Sequence, residues 1–156
     1  MPSTINITRP AEADALWVVR DRVRFMGDLA GTELSVLEVE VPPGSGTPPH
    51  IHESPEIFRV LDGEITFGLF EDGPPQMLPA ESGTVVTVPS QVPHNYTNTG
   101  SGAAHMLVVV EQPMAAFFRD IGRAETPPAG PPSEAEIAEV MAACARHGIA
   151  VLGGPA

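Results

Sequence analysis

Lysine is absent from this chain of 156 residues, and all eight of its basic residues are arginine. That absence excludes Schiff-base chemistry with carbonyl substrates or pyridoxal phosphate, and any lysine general base. Cys144 is the only cysteine, so there is no intramolecular disulfide and no cysteine-rich zinc module. The arginines are scattered among 20 acidic residues, for a net charge of −12. Nothing in that distribution tracks a phosphate backbone, and no nucleic-acid partner is expected. No apolar run approaches the length of a membrane span, and the acidic start, MPSTINITRPAEADALW, lacks the apolar centre of a secretory signal. No membrane association and a cytoplasmic location are the corresponding expectations. Neither G-x-S-x-G nor a P-loop occurs, so serine-hydrolase and nucleotide-hydrolysing chemistry have no motif here.

What is present is a turn-rich β pattern. Eighteen prolines and 15 glycines punctuate short Val-rich runs, and at 42% hydrophobic residues the composition is that of a folded domain and not a disordered one. In ELSVLEVEV, Leu37, Val39 and Val41 alternate with Glu38 and Glu40, the pattern of a strand with one buried face. The runs HIH, EIFRVL, EITFGLF, TVVTVP, HNYTN and AAHMLVVVE supply further strands, and Asp62-Gly63 between two of them is a hairpin signal. Many short strands without interleaved helices predict an all-β fold, a closed antiparallel barrel or jelly roll. The length fits one domain.

Past Glu111 the character changes. Pro113 is placed to start a short helix, 126–132 is a Pro-rich linker, and Ser133 with Glu136 forms a capping box. Ile137, Val140, Met141 and Cys144 mark one apolar stripe of a terminal helix that Gly148 ends. The expected organisation is a barrel over 1–112 and, over 113–156, an extension whose terminal helix packs on the barrel's outside.

Three histidines and a carboxylate carry the chemistry. His50 and His52 are two apart, so on an extended strand both rings project from one face, roughly 6.5–7 Å apart. Glu56 follows in a run where Glu56, Phe58 and Val60 share a side, and His94 comes from a separate strand. Three neutral nitrogens and one carboxylate suit one divalent transition metal, Fe, Mn, Ni, Co or Zn, with positions left open. Phe58, Phe67, Tyr96 and Met106 are the candidates to line an apolar substrate cavity above it. His147 falls in a helix's last turn, where the macrodipole favours a cation. His105 shares a strand face with Leu107 and Val109, which leaves open whether it enters the barrel. Arg59 falls opposite Glu56, Pro55 reads as a strand's first residue, Trp17 as packing and Cys144 as a small buried hydrophobe.

At these residues the chain resembles the cupin superfamily. The motif G-x5-H-x-H-x3-E-x6-G is met by Gly44, His50, His52, Glu56 and Gly63. The motif G-x5-P-x-G-x2-H-x3-N is met by Gly83, Pro89, His94 and Asn98, with Gln91 where the family has glycine. The resemblance implies the same barrel, in the form of a small single-domain cupin. It is similar to small flavonol-cleaving cupins, which implies a dioxygenase acting on an aromatic or enolic molecule, with Glu56 both ligand and general base. Small polyketide cyclases look equally similar, which implies non-redox cyclisation or isomerisation with the metal as Lewis acid. A third reading is a non-catalytic small-molecule-binding module. A homodimer is expected, because such barrels pair and the N-terminal strands, with Trp17 and Val19, offer an apolar edge.

Overall fold

Alternation decides which side of each strand is buried. In β3 (Leu34–Val41), Leu37, Val39 and Val41 point inward, and in β10 (Ala104–Glu111) Ala104, Met106, Val108 and Val110 do the same. These assignments come from a computed structural model that describes residues 5–153. Residues 1–4 and 154–156, the outermost ends of the two expected segments, lie outside the described residues.

Two antiparallel sheets face each other. The larger takes β1 (Asp14–Val18), β2 (Asp21–Asp28), β3, β10, β5 (Glu56–Asp62) and β8 (Val85–Val88), in that order. The smaller takes β11 (Ala150–Val151), β4 (His50–Ile51), β9 (His94–Thr97), β6 (Glu64–Leu69) and β7 (Gln76–Glu81). Their inner faces form one core, with Phe58, Val60 and Met106 from the first sheet meeting Ile65, Phe67 and Ala80 from the second. The fold is thus a jelly-roll β-barrel.

Two strands went unread in the sequence. β7 contains Pro79, which cannot donate to a ladder and is tolerated because β7 is an edge strand. β11 is two residues long, below the length at which periodicity carries a signal. The hairpin expected at Asp62-Gly63 does not form: the turn, with Gly63 at a left-handed φ of 78° that favours glycine, carries the chain from β5 in the larger sheet to β6 in the smaller, and the two strands do not pair because each finds its partners within its own sheet.

Helix α1 (Gln112–Ile121) follows β10 directly, with Pro113 in its first turn. Burying Met114 and Phe117 from it contributes roughly 1.5–3 kcal/mol each. Helix α2 (Glu134–Arg146) carries the expected capping box: Ser133 Oγ accepts from the Glu136 amide, and the Glu136 carboxylate accepts from the Ser133 amide. Gly148, at φ 70°, follows it. Of the predicted stripe, Cys144 is buried, Val140 and Met141 are half-buried and Ile137 is exposed.

Three contacts tie this C-terminal segment to the barrel. Trp17 and Arg123 exchange backbone hydrogen bonds of 2.8 and 2.9 Å along the free edge of β1. Arg20 donates to Glu136 at 2.7 and 3.2 Å and to the Gly130 carbonyl at 2.8 Å. β11 pairs with β4.

Candidate metal centre

Backbone pairing brings the three histidines together. His50 on β4 stands opposite His94 on β9, and His52 follows β4 immediately. The three ring centroids are 4.4 to 5.1 Å apart, and one ring nitrogen of each lies within 4.8 Å of the others. All three side chains are buried.

The same local device orients each ring. Nδ1 of His50 lies 2.9 Å from the Pro48 carbonyl, that of His52 2.7 Å from the Ser54 carbonyl, and that of His94 2.7 Å from the Val92 carbonyl. A carbonyl only accepts, so each Nδ1 carries the proton and each Nε2 is left as a lone pair. Nε2 of His94 is buried with no hydrogen-bond partner, and Nε2 of His52 is buried with only the Glu56 carboxylate beside it. Orphaned lone pairs of this kind, fixed by carbonyls behind the ring, are what a metal requires of imidazole ligands.

Glu56, at the start of β5, is 5% exposed and its Oε1 lies 2.8 Å from His52 Nε2. With Nδ1 committed to Ser54, a neutral His52 would aim a lone pair at a carboxylate. Only a proton or a cation between them removes that repulsion. Glu56 stands beside the group of three nitrogens and not inside it. Burial pushes His50 down to about 4, with the neighbouring His94 adding to the shift, and burial lowers His94 too. Burial also pushes His52 down, but Glu56 outweighs it and holds the ring above its ordinary value. The residues therefore fit a divalent cation: His50, His52 and His94 would hold it, with Glu56 alongside.

The three motif residues around the ligands have structural work. Asn98 is 1% exposed and donates to the Val41 and Gly102 carbonyls, both at 2.9 Å, which fixes the loop after β9 to the end of β3. Gly44 donates to the Asn98 carbonyl at 2.9 Å. Gln91 adopts φ 66°, the left-handed conformation that glycine would take more easily, and donates its amide to the His52 carbonyl at 2.9 Å.

The metal group opens on a cavity of about 140 Å³. His50, His94, Glu56, Phe58, Tyr96 and Met106 line it on the barrel side. Phe67, the fourth candidate for substrate contact, is buried behind Phe58, with ring centroids 5.1 Å apart. The opposite wall comes from Met114 and Phe117 of α1, Val140, Met141 and Cys144 of α2, and Val151 of β11. The terminal helix, expected on the barrel's outside, thus covers the cavity. Val19, also in the wall, has φ 58°, an uncommon conformation for a β-branched residue. His105 is 41% exposed on the outer face, 3.5 Å from Asp62 and 3.8 Å from Glu40, and does not enter the barrel. Arg59 is exposed as expected, and His147 Nε2 lies 2.8 Å from Asp120.

One polar group in the wall had no signal in the sequence. Asp21 is 5% exposed and accepts from Ser45 Oγ and from Tyr96 Oη, both at 2.5 Å. Burial pushes its carboxyl up to about 6, against the pull of those two donors. It starts β2, some 29 residues before His50, and only the barrel brings it to the cavity.

A β-barrel with imidazoles converging in its interior defines a class of barrel-housed metal-site proteins. Residues 37–110, just under half of the chain, match the Cupin domain family, so this stretch is a cupin domain. It is similar to auxin-binding protein 1 of Arabidopsis thaliana, 33% identical over 81 residues, a match covering 49% of this chain and 41% of that protein. Its fold is similar to that of the polyketide cyclase RemF from Streptomyces resistomycificus, at TM-score 0.60 and 22% identity, covering 69% of this chain and 80% of that one. It is similar also to a predicted oxalate decarboxylase from Thermotoga maritima, at TM-score 0.57 and 22% identity, covering 68% and 98% of the two chains. No helix among the described residues is long and apolar enough to cross a membrane.

Proposed function

We propose that this cupin is a metal-dependent enzyme acting on a small phenolic or enolic molecule, with dioxygen as co-substrate. The observation that carries it is the convergence of three imidazole nitrogens, with Glu56 2.8 Å from one of them, beside a mainly apolar cavity. A redox-active divalent metal would supply positive charge for the substrate oxygen and a path for electrons to dioxygen.

The residues of the chain would do the rest. Glu56 takes the proton from the substrate hydroxyl, and the apolar wall keeps water from competing. No arginine lines the cavity among the described residues, so a phosphate or a dicarboxylate finds no counter-charge from the protein, whereas a mono-anion needs none beyond the metal. Size narrows the choice further, since a cavity of about 150 Å³ lined by apolar side chains holds benzene. A single-ring phenol fits the volume as it stands.

A second reading, cyclisation or isomerisation with the metal as Lewis acid, is favoured by the place of Glu56. A carboxylate beside the nitrogens is positioned as a base, and proton transfer requires no oxidant. The resemblance to a polyketide cyclase supports the fold of this reading. The test is turnover of a panel of catechols, hydroxyketones and phenols by protein loaded with Fe, Mn, Co, Ni or Zn, with and without dioxygen. Product dependent on dioxygen and a redox-active metal is expected. Product formed anaerobically or with zinc overturns the dioxygenase and leaves the Lewis-acid reading; tight binding without product leaves a binding module.

We also propose a homodimer. The N-terminal edge expected to pair is partly occupied by Arg123, and exposed Ile57, Leu61 and Val85 on the outer face of β5 and the adjoining β8 offer further apolar surface. A monomer mass by light scattering at micromolar concentration would contradict it.

A further inference from the structure

The cavity has polar groups away from the histidines, and their hydrogen bonding constrains what they offer a ligand. Asp21 receives Ser45 Oγ–H on one carboxylate oxygen and Tyr96 Oη–H on the other. Each hydroxyl has a single proton, and both are spent on Asp21. Ser45 and Tyr96 therefore face the cavity with lone pairs alone, and all three residues line it. Tyr96 lies two residues after His94 on β9, on the same face of the strand, so its backbone stands roughly 6.5–7 Å from that of the ligand.

We propose that Asp21, acting through Tyr96 and Ser45, selects a small molecule carrying an O–H or N–H donor opposite the oxygen it presents to the three histidines. A ligand with an acceptor or an apolar group at that end leaves buried lone pairs unmet or repelled, whereas a donor satisfies them. Asp21 is a positioning residue: it holds the two hydroxyl protons away from the cavity and need not touch the ligand. Its carboxyl, near 6, is ionised at about pH 7.5, which keeps both hydroxyls donating to it. The proposal rests on the metal reading above only for the anchoring of the ligand's other end.

The test uses the full chain loaded with redox-silent zinc and titrated calorimetrically at about pH 7.5 with benzoate, 3- and 4-hydroxybenzoate and 4-fluorobenzoate. The carboxylate serves as the metal-facing end, and fluorine supplies bulk without a donor. One hydroxybenzoate should bind at least about tenfold tighter than benzoate, and 4-fluorobenzoate should not. In Asp21→Asn the amide supplies donors of its own, Ser45 and Tyr96 are released to turn, and the ratio of hydroxybenzoate to benzoate affinity should fall towards one. A merely structural role for Asp21 would shift all the affinities together and leave that ratio in place. If Asp21→Asn does not fold, Tyr96→Phe and Ser45→Ala should each reduce the ratio. Equal binding of all probes, no binding of any at millimolar concentration, or a ratio undiminished in the variants overturns the proposal. A hydroxyl preference that persists without zinc supports it, and counts against the metal as anchor.

Discussion

Val151 is paired with His50 across the last strand of the smaller sheet. β4 has only two residues, and it is held between β11 on one side and β9 on the other. The C-terminal strand therefore braces the backbone of a metal ligand, while the helix before it covers the cavity that the ligand faces.

Breaking that brace should loosen the site. Leu152→Pro removes the backbone donor that Leu152 gives the Pro49 carbonyl at 2.8 Å, beside the Val151–His50 pair, and forces the strand apart. Amide exchange at His50 and Ile51 should accelerate, and affinity for zinc should fall, by about tenfold if the strand acts as other supports of ligand orientation do. Exchange and affinity at wild-type values would show that β9 alone suffices.

The histidines and Glu56 should separate metal binding from chemistry. His52→Ala should lose the metal, and unchanged occupancy by elemental analysis at equal protein concentration would refute the ligand set. Glu56→Gln keeps an oxygen near the metal but removes the base, so turnover should fall by about 10²- to 10⁴-fold with occupancy largely kept. Wild-type turnover in that variant would exclude the base role.

Asp21 should leave a signature in stability against pH. Its carboxyl is raised by burial from 3.8 to about 6 in the folded chain, so folding takes up a proton between those values. The contribution is fully present below about pH 4 and is lost as pH rises through about 6. Relative to Asp21→Asn, the wild type should lose up to ~3 kcal/mol between about pH 4 and 6, with little change above. Urea titrations of the two proteins across that range would measure the difference, and a flat difference would contradict a buried, raised carboxyl.

Gln91 offers a gain. It is exposed and holds a left-handed φ of 66° that glycine adopts without strain. Gln91→Gly should stabilise the fold by about 1 kcal/mol, because a side chain in that conformation costs about 1–2 kcal/mol. A lower denaturation midpoint would mean that the glutamine side chain contributes a contact of its own.

Most strands of the barrel and the three histidines of the metal group were legible in the sequence because both depend on local spacing. Alternation set the inward face of β3, and His50 and His52 declared themselves by standing two apart before Glu56. The capping box of α2 was legible for the same reason, since Ser133 and Glu136 meet within one turn.

What remained hidden depends on contacts between distant parts of the chain. Asp21, Ser45 and Tyr96 are unremarkable in their own segments, and become a cluster only when β2, the loop after β3 and β9 close on one cavity. His105 lies on a strand face whose neighbours, Leu107 and Val109, are apolar, and periodicity could tell that the faces differ but not which one the barrel encloses. The amphipathic stripe of α2 likewise announced that it must be covered. It was the tertiary fold, through Arg20, Arg123 and the pairing of β11 with β4, that laid this stripe over the metal site and not on the outer wall. A stripe records the demand for burial, and only the closed chain supplies the partner.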